Sequence, residues 1–183
     1  MSLRNSEEVI LSAKRLVEAD KRSEIRLSAN GGNSILVLCE PEREMDYIKT
    51  IYSLLPKVNY EIIDLNNVLN NYIEVNKQDL IDRFDLLRGS LNQIFKSTDD
   101  GNDLFSVLIN KINESLTENK IPVLIHSGAL FGTGIDNIHI IENAVVMKAK
   151  LPIIILYPAT KDKDSIYFLG KRPASKYRCM IVE

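Results

Sequence analysis

At 183 residues, 45% of them hydrophobic and 26% charged, the chain has the length and composition of one compact domain with a sizeable buried core, which excludes a disordered or low-complexity segment. The formal net charge of −2 hides a split: residues 1–142 carry 15 Lys and Arg against 22 Asp and Glu, and residues 143–183 carry 8 against 3, so the C-terminal part either faces an acidic partner or forms a solvated basic face. No stretch reaches the roughly 18 uninterrupted apolar residues of a membrane span, and the charged start MSLRNSEEVILSAKRL lacks a signal peptide's apolar run, so the expected compartment is the cytoplasm, without membrane contact.

From Ser6 to about Arg22, Val9, Ile10, Ala13, Leu16 and Val17 recur at helical spacing behind Glu7 and Glu8, which predicts an amphipathic helix. The breaker cluster SANGGN (28–33) delivers the chain into SILVLC (34–39), a short continuous apolar run typical of a strand covered on both faces. Pro41 among acids opens a helix to about Leu55, and NYEIIDL (59–65) is a second strand, reached by a strand–helix–strand crossover. Residues 66–118 show helical periodicity only and read as a helical insertion; its loop KSTDDGND (96–103) has a superficial likeness to a calcium loop but lacks the ligand spacing and the terminal Glu, and reads as a turn with a helix cap. A third strand, IPVLIH (121–126), leads through the glycine-rich SGALFGTGID to a helix over about 137–148. A fourth strand, LPIIILYP (151–158), and two short ones, SIYFLG (165–170) and KYRCMIV (176–182), end the chain. The last two are too close for a crossover helix and are expected to form an antiparallel edge. The sum is a single three-layer α/β domain, residues 1–183, with a mostly parallel central sheet and a topology like that of P-loop NTPases.

Its chemistry is harder to find. Neither G-x-x-x-x-G-K-[ST] nor G-x-G-x-x-G occurs, and the turn after the first strand, EPERE, is acidic where a phosphate cradle needs glycine amides. The loop after the third strand is the better ligand candidate: Ser127, Gly128, Gly132, Thr133 and Gly134 lie at the carboxyl end of a strand, where open α/β sheets bind nucleotides or small anions, or else they serve only positive φ angles and close packing. His126 and Ser127 are strand neighbours pointing to opposite faces, so they form no dyad. Asp64, Asp136 and Glu142 are carboxylates without a spacing that prescribes a shared site. Cys39 and Cys179 sit in apolar runs and read as buried, reduced thiols, and two histidines without clustered cysteines make no zinc site. The basic C-terminal region, with Lys171, Arg172, Lys176 and Arg178 interleaved with Tyr157, Tyr167, Phe168 and Tyr177, suits protein or nucleic-acid contact, although aromatics on short strands also serve a core. No cofactor is expected.

Four segments carry a family resemblance: IPVLIHSGALF (121–131), IIILYP (153–158), IYFLGK (166–171) and KYRCMIV (176–182), with SILVLCEPERE and NYEIIDLNNVL agreeing in layout. In them the chain resembles the BrxB family of bacterial BREX phage-defence systems. It departs from that pattern in GTGIDNIH after the SGALF segment, where only His139 keeps a comparable place, in Ala159 after Tyr-Pro, and in Lys176-Tyr177 in place of paired tyrosines. The resemblance implies a cytoplasmic, non-catalytic assembly component working with a PglZ-like protein, an AAA ATPase and a DNA methyltransferase. The glycine loop, His139 and Lys171, Arg172, Lys176, Tyr177 and Arg178 are the expected contact surfaces. Alternative expectations are a nucleotide- or anion-binding domain using residues 127–134 and a nucleic-acid-binding module using the basic C-terminal region.

Overall fold

A computed structural model describes residues 5–18, 22–87, 90–96, 102–163, 165–174 and 178–183. In chain order the helices are α1 (Ser6–Glu18), α2 (Arg22–Ser28), α3 (Glu44–Leu54), α4 (Leu65–Val75), α5 (Lys77–Leu86), α6 (Leu91–Phe95), α7 (Leu104–Thr117), α8 (Asn137–Ile141) and α9 (Ala144–Lys148). The strands are β1 (Ser34–Cys39), β2 (Tyr60–Asp64), β3 (Ile121–Ile125), β4 (Ile153–Asp162), β5 (Ser165–Phe168), β6 (Arg172–Pro173) and β7 (Met180–Val182). The core of the sheet runs in the order β2-β3-β4-β1-β7 with every neighbour parallel. β1 therefore lies inside the sheet, and the connection through α3 carries the chain past β4 and β3 to the far side.

Alternation along the strands divides the interior into two cores, because successive side chains point to opposite faces. Ile35, Val37, Val123, Ile154 and Leu156 meet Val9, Ile10, Ala13 and Val17 of α1 and Ile48 and Ile51 of α3. Leu36, Leu38, Leu124, Ile155 and Tyr157 meet Val68 and Tyr72 of α4, Leu104, Leu108 and Ile112 of α7, and Ile140, Ile141 and Val146 of α8 and α9. The spacing 104, 108, 112 is one helical face. Each fully buried Leu or Ile contributes about 1.5–3 kcal/mol, which is why β1 and β3, buried at every position, read as unbroken apolar runs. The result is the expected three-layer α/β architecture.

The C-terminal region corrects one expectation. Antiparallel pairing occurs, but its members are the extended end of β4 with β5 (Ala159 to Asp162 against Phe168 to Ser165) and β5 with β6. β7 instead pairs in parallel with β1. The physical reason is that the described part of 176–182 that forms strand, Met180–Val182, finds β1's free edge, and the hairpin at 169–171 already supplies β5 with a partner. The predicted long helices are also divided: Asn143 interrupts 137–148 and caps α9 by accepting from the Val145 amide at 2.9 Å. Asp103 caps α7 by accepting from the Ser106 amide at 2.7 Å, as expected of the turn ahead of it, and residues 97–101 of that turn lie outside the described residues. No helix among the described residues is long and apolar enough to cross a membrane.

Candidate functional site

The carboxyl ends of the strands bring together three side chains far apart in the sequence. The register places Asp64, last residue of β2, beside Ile125, last residue of β3, so the next residue, His126, meets the Asp64 carboxylate, with Nδ1 2.9 Å from Oδ1. An ionised carboxylate only accepts, so Nδ1 carries the proton and Nε2 keeps its lone pair in the neutral ring. Asp64 has a second duty as the cap of α4, accepting from the Asn66 and Asn67 amides at 3.0 and 3.4 Å. His126 is held in the left-handed region, φ 55° and ψ 43°, a conformation sparsely used by residues with a Cβ and concentrated at functional sites. Glu44, at the start of α3, completes the group: burial holds its carboxyl above the ordinary value, His126 opposes that shift and Asp64 adds to it. Its Oε1 is buried without a hydrogen-bond partner. An imidazole oriented by a carboxylate has the form of a general base, but neither the cavity under the glycine loop nor the groove along β2 is lined by His126. Among the described residues no group of three His, Cys, Asp or Glu has the placement to hold a metal ion.

The glycine loop follows directly. Ser127 is buried and its hydroxyl donates to the Leu156 carbonyl at 2.8 Å, and the buried Thr133 hydroxyl donates to the Leu130 carbonyl at 2.7 Å and accepts from the Ile135 amide at 3.2 Å. Both hydroxyls are thus used to shape the loop. Gly132 and Gly134 adopt φ of +86° and +81°, the conformation for which glycine carries no steric penalty. At Gly128 a Cβ would meet Leu169 only at 3.6 Å, an ordinary contact. The cavity beneath, between Ser127, Leu130, Tyr157 and Phe168, measures about 20 Å³, room for about one water molecule.

Part of the basic C-terminal region is answered from within the chain. Arg172 donates to Asp136 at 2.7 Å, Arg178 lies 3.4 Å from Glu142, and Lys161 pairs with Glu183. Lys171 is exposed, and Lys176 and Tyr177 lie outside the described residues. His139 accepts at Nδ1 from the Asp136 amide at 2.9 Å and meets Phe105 edge-on; burial, with the charge of Lys96 next, lowers its pKa. It therefore acts as a neutral helix cap. Tyr157 and Phe168 stack at 4.6 Å in the core, the packing role weighed for them above. Cys39 and Cys179 are both buried, with burial the first cause pushing their thiols up to about 12 and about 11.

Sequence reasoning named Asp64 and His126 separately and did not join them, because only the parallel register of β2 with β3 does so; Glu44 carries no sequence signal beyond its place after the first strand. Comparison of the chain with family models, curated proteins and solved structures finds no match.

Proposed function

We propose that the chain is a docking component of a multiprotein assembly, in the role its resemblance to BrxB implies within a BREX-type phage-defence system, with a PglZ-like protein or an AAA ATPase as partner. The observation that supports this reading is α5. No residue of this helix is buried, yet Ile81 and Phe84, three apart on one face, are 48% and 55% exposed, and Leu86 is 83% exposed. Covering an apolar side chain of this size gains about 1.5–3 kcal/mol, so the face favours a partner with a complementary apolar groove. Lys77, four residues before Ile81, shares this face and Asp85 borders it, so the partner's groove is rimmed by charges of both signs.

The test is tagged capture from cells co-expressing the products of the flanking genes. The wild-type chain retains one of them, and Ile81→Glu with Phe84→Glu loses it while changing the unfolding free energy by no more than about 0.5 kcal/mol per site, as surface substitutions do. Equal retention by the double variant, or recovery of the wild-type chain alone, contradicts the proposal.

A further inference from the structure

The sheet is open at β2, whose one strand neighbour among the described residues is β3. The Ile121 amide donates to the Asn59 carbonyl at 2.8 Å, and the register from Tyr60↔Ile121 to Asp64↔Ile125 is unbroken. In a parallel ladder alternate residues bond to each side, so Glu61 and Ile63 bond to β3, and the amide and carbonyl of Ile62, the carbonyl of Tyr60 and the amide of Asp64 point outward. The Tyr60 amide is spent on the Pro56 carbonyl at 3.1 Å. Protected edges carry a proline, a bulge or a covering element; β2 has no proline and its register has no bulge. What lies alongside is a groove of about 520 Å³, walled by the half-exposed Tyr52 of α3 and by Lys111, Glu114 and Glu118 of and just after α7.

Charge identifies the occupant. Four acids, Glu61, Asp64, Glu114 and Glu118, line the groove against two bases, Lys111 and Lys120. Lys120 is already shared between Glu61 at 3.5 Å and Glu118 at 2.7 Å. We infer that the β2 edge is a strand-docking site that takes an extended, Lys- or Arg-bearing segment of a partner protein, paired with the Ile62 backbone and flanked by Glu61, Glu114 and Glu118. Main-chain hydrogen bonds supply the register and the acidic rim the selectivity. At about 3.3 Å per residue the five residues of β2 accommodate a segment of similar length. This goes beyond the α5 contact and does not depend on it.

The experiment titrates the isotope-labelled full chain with an acetylated, amidated Lys-Val-Lys-Val-Lys-Val peptide and, in parallel, its Glu-for-Lys counterpart. Expected are saturable amide shifts centred on residues 60–64 and at least about tenfold slower exchange of the Ile62 amide with the basic peptide only. Glu114→Lys weakens binding about fivefold, the equivalent of about 1 kcal/mol. Ile62→Pro removes the outward donor without touching the β3 ladder and abolishes binding; if that variant fails to fold, Glu114→Lys still decides. Shifts away from β2, an unprotected Ile62 amide, or equal binding of the acidic peptide would overturn the inference. Because the probe touches neither Ile81 nor Phe84, that failure would leave the α5 reading standing.

Discussion

Glu44 is held in a place that does not suit its charge. Burial raises its pKa above 4.5, so the folded chain binds a proton more tightly than the unfolded one, and by linkage stability falls as pH rises from 4.5 towards the folded pKa. Glu44→Gln, which removes the charge and keeps the shape, is expected to be more stable than the wild-type chain at pH 7, with the advantage shrinking at pH 4; urea midpoints at the two values measure it, and an equal offset at both contradicts the assignment. Asn33 illustrates the opposite case, a buried side chain whose amide hydrogens find acceptors. Its side-chain amide reaches the carbonyls of Val146 and Ala149 at 3.1 Å and of Leu151 at 2.9 Å, tying the approach to β1 to the approach to β4. Asn33→Ala leaves those acceptors dry and costs about 2 kcal/mol or more. Asn33→Asp, an acceptor facing acceptors, costs more still, and equilibrium unfolding of the two variants checks the order. Beside it, Gly32 is required by a close approach, since a Cβ there would sit 1.9 Å from the Arg178 carbonyl oxygen. The sequence marks SANGGN as a breaker; that its glycine also makes room for the C-terminal segment follows only from the contact.

At the scale of elements, the strands were legible where burial is complete. SILVLC is β1 residue for residue, because a strand covered on both faces has no polar alternate positions to blur it; IPVLIH runs one residue past β3, which ends at Ile125 before His126 turns into the left-handed region. β4 extends beyond its apolar run: its last three residues, Thr160, Lys161 and Asp162, are exposed and belong to the antiparallel arm, where one face is solvated and the apolar run stops before the strand does. Chain proximity favours β5 as the partner of β7, whereas β7 takes the edge of β1 in parallel, from Ile35↔Met180 to Val37↔Val182. The insertion shows the limit of periodicity. Leu80, Ile81, Phe84 and Leu87 have the spacing of a core face, and α4 and α7 use the same spacing for burial. In α5 only Leu80 packs against the core and no residue is fully buried, and no local signal separates a helix that packs inward from one that stays exposed.

Over the whole molecule, part of the charge split visible in the sequence is spent inside the fold. Arg172, Arg178 and Lys161 meet Asp136, Glu142 and Glu183, binding the C-terminal arm to the loop before α8, to the end of α8 and to the terminus. Along β2, four acids line the groove against two bases, and that surface is the one suited to a basic segment. The proposed contact lies on α5, and crosslinking addresses it most directly. A photoreactive phenylalanine analogue replaces Phe84, or Leu27, which is 80% exposed and lies on α2, in cells co-expressing the flanking gene products. The predicted result is one adduct of defined mass from position 84 and none from position 27. No adduct at 84, or the same adducts from both positions, would contradict the docking role.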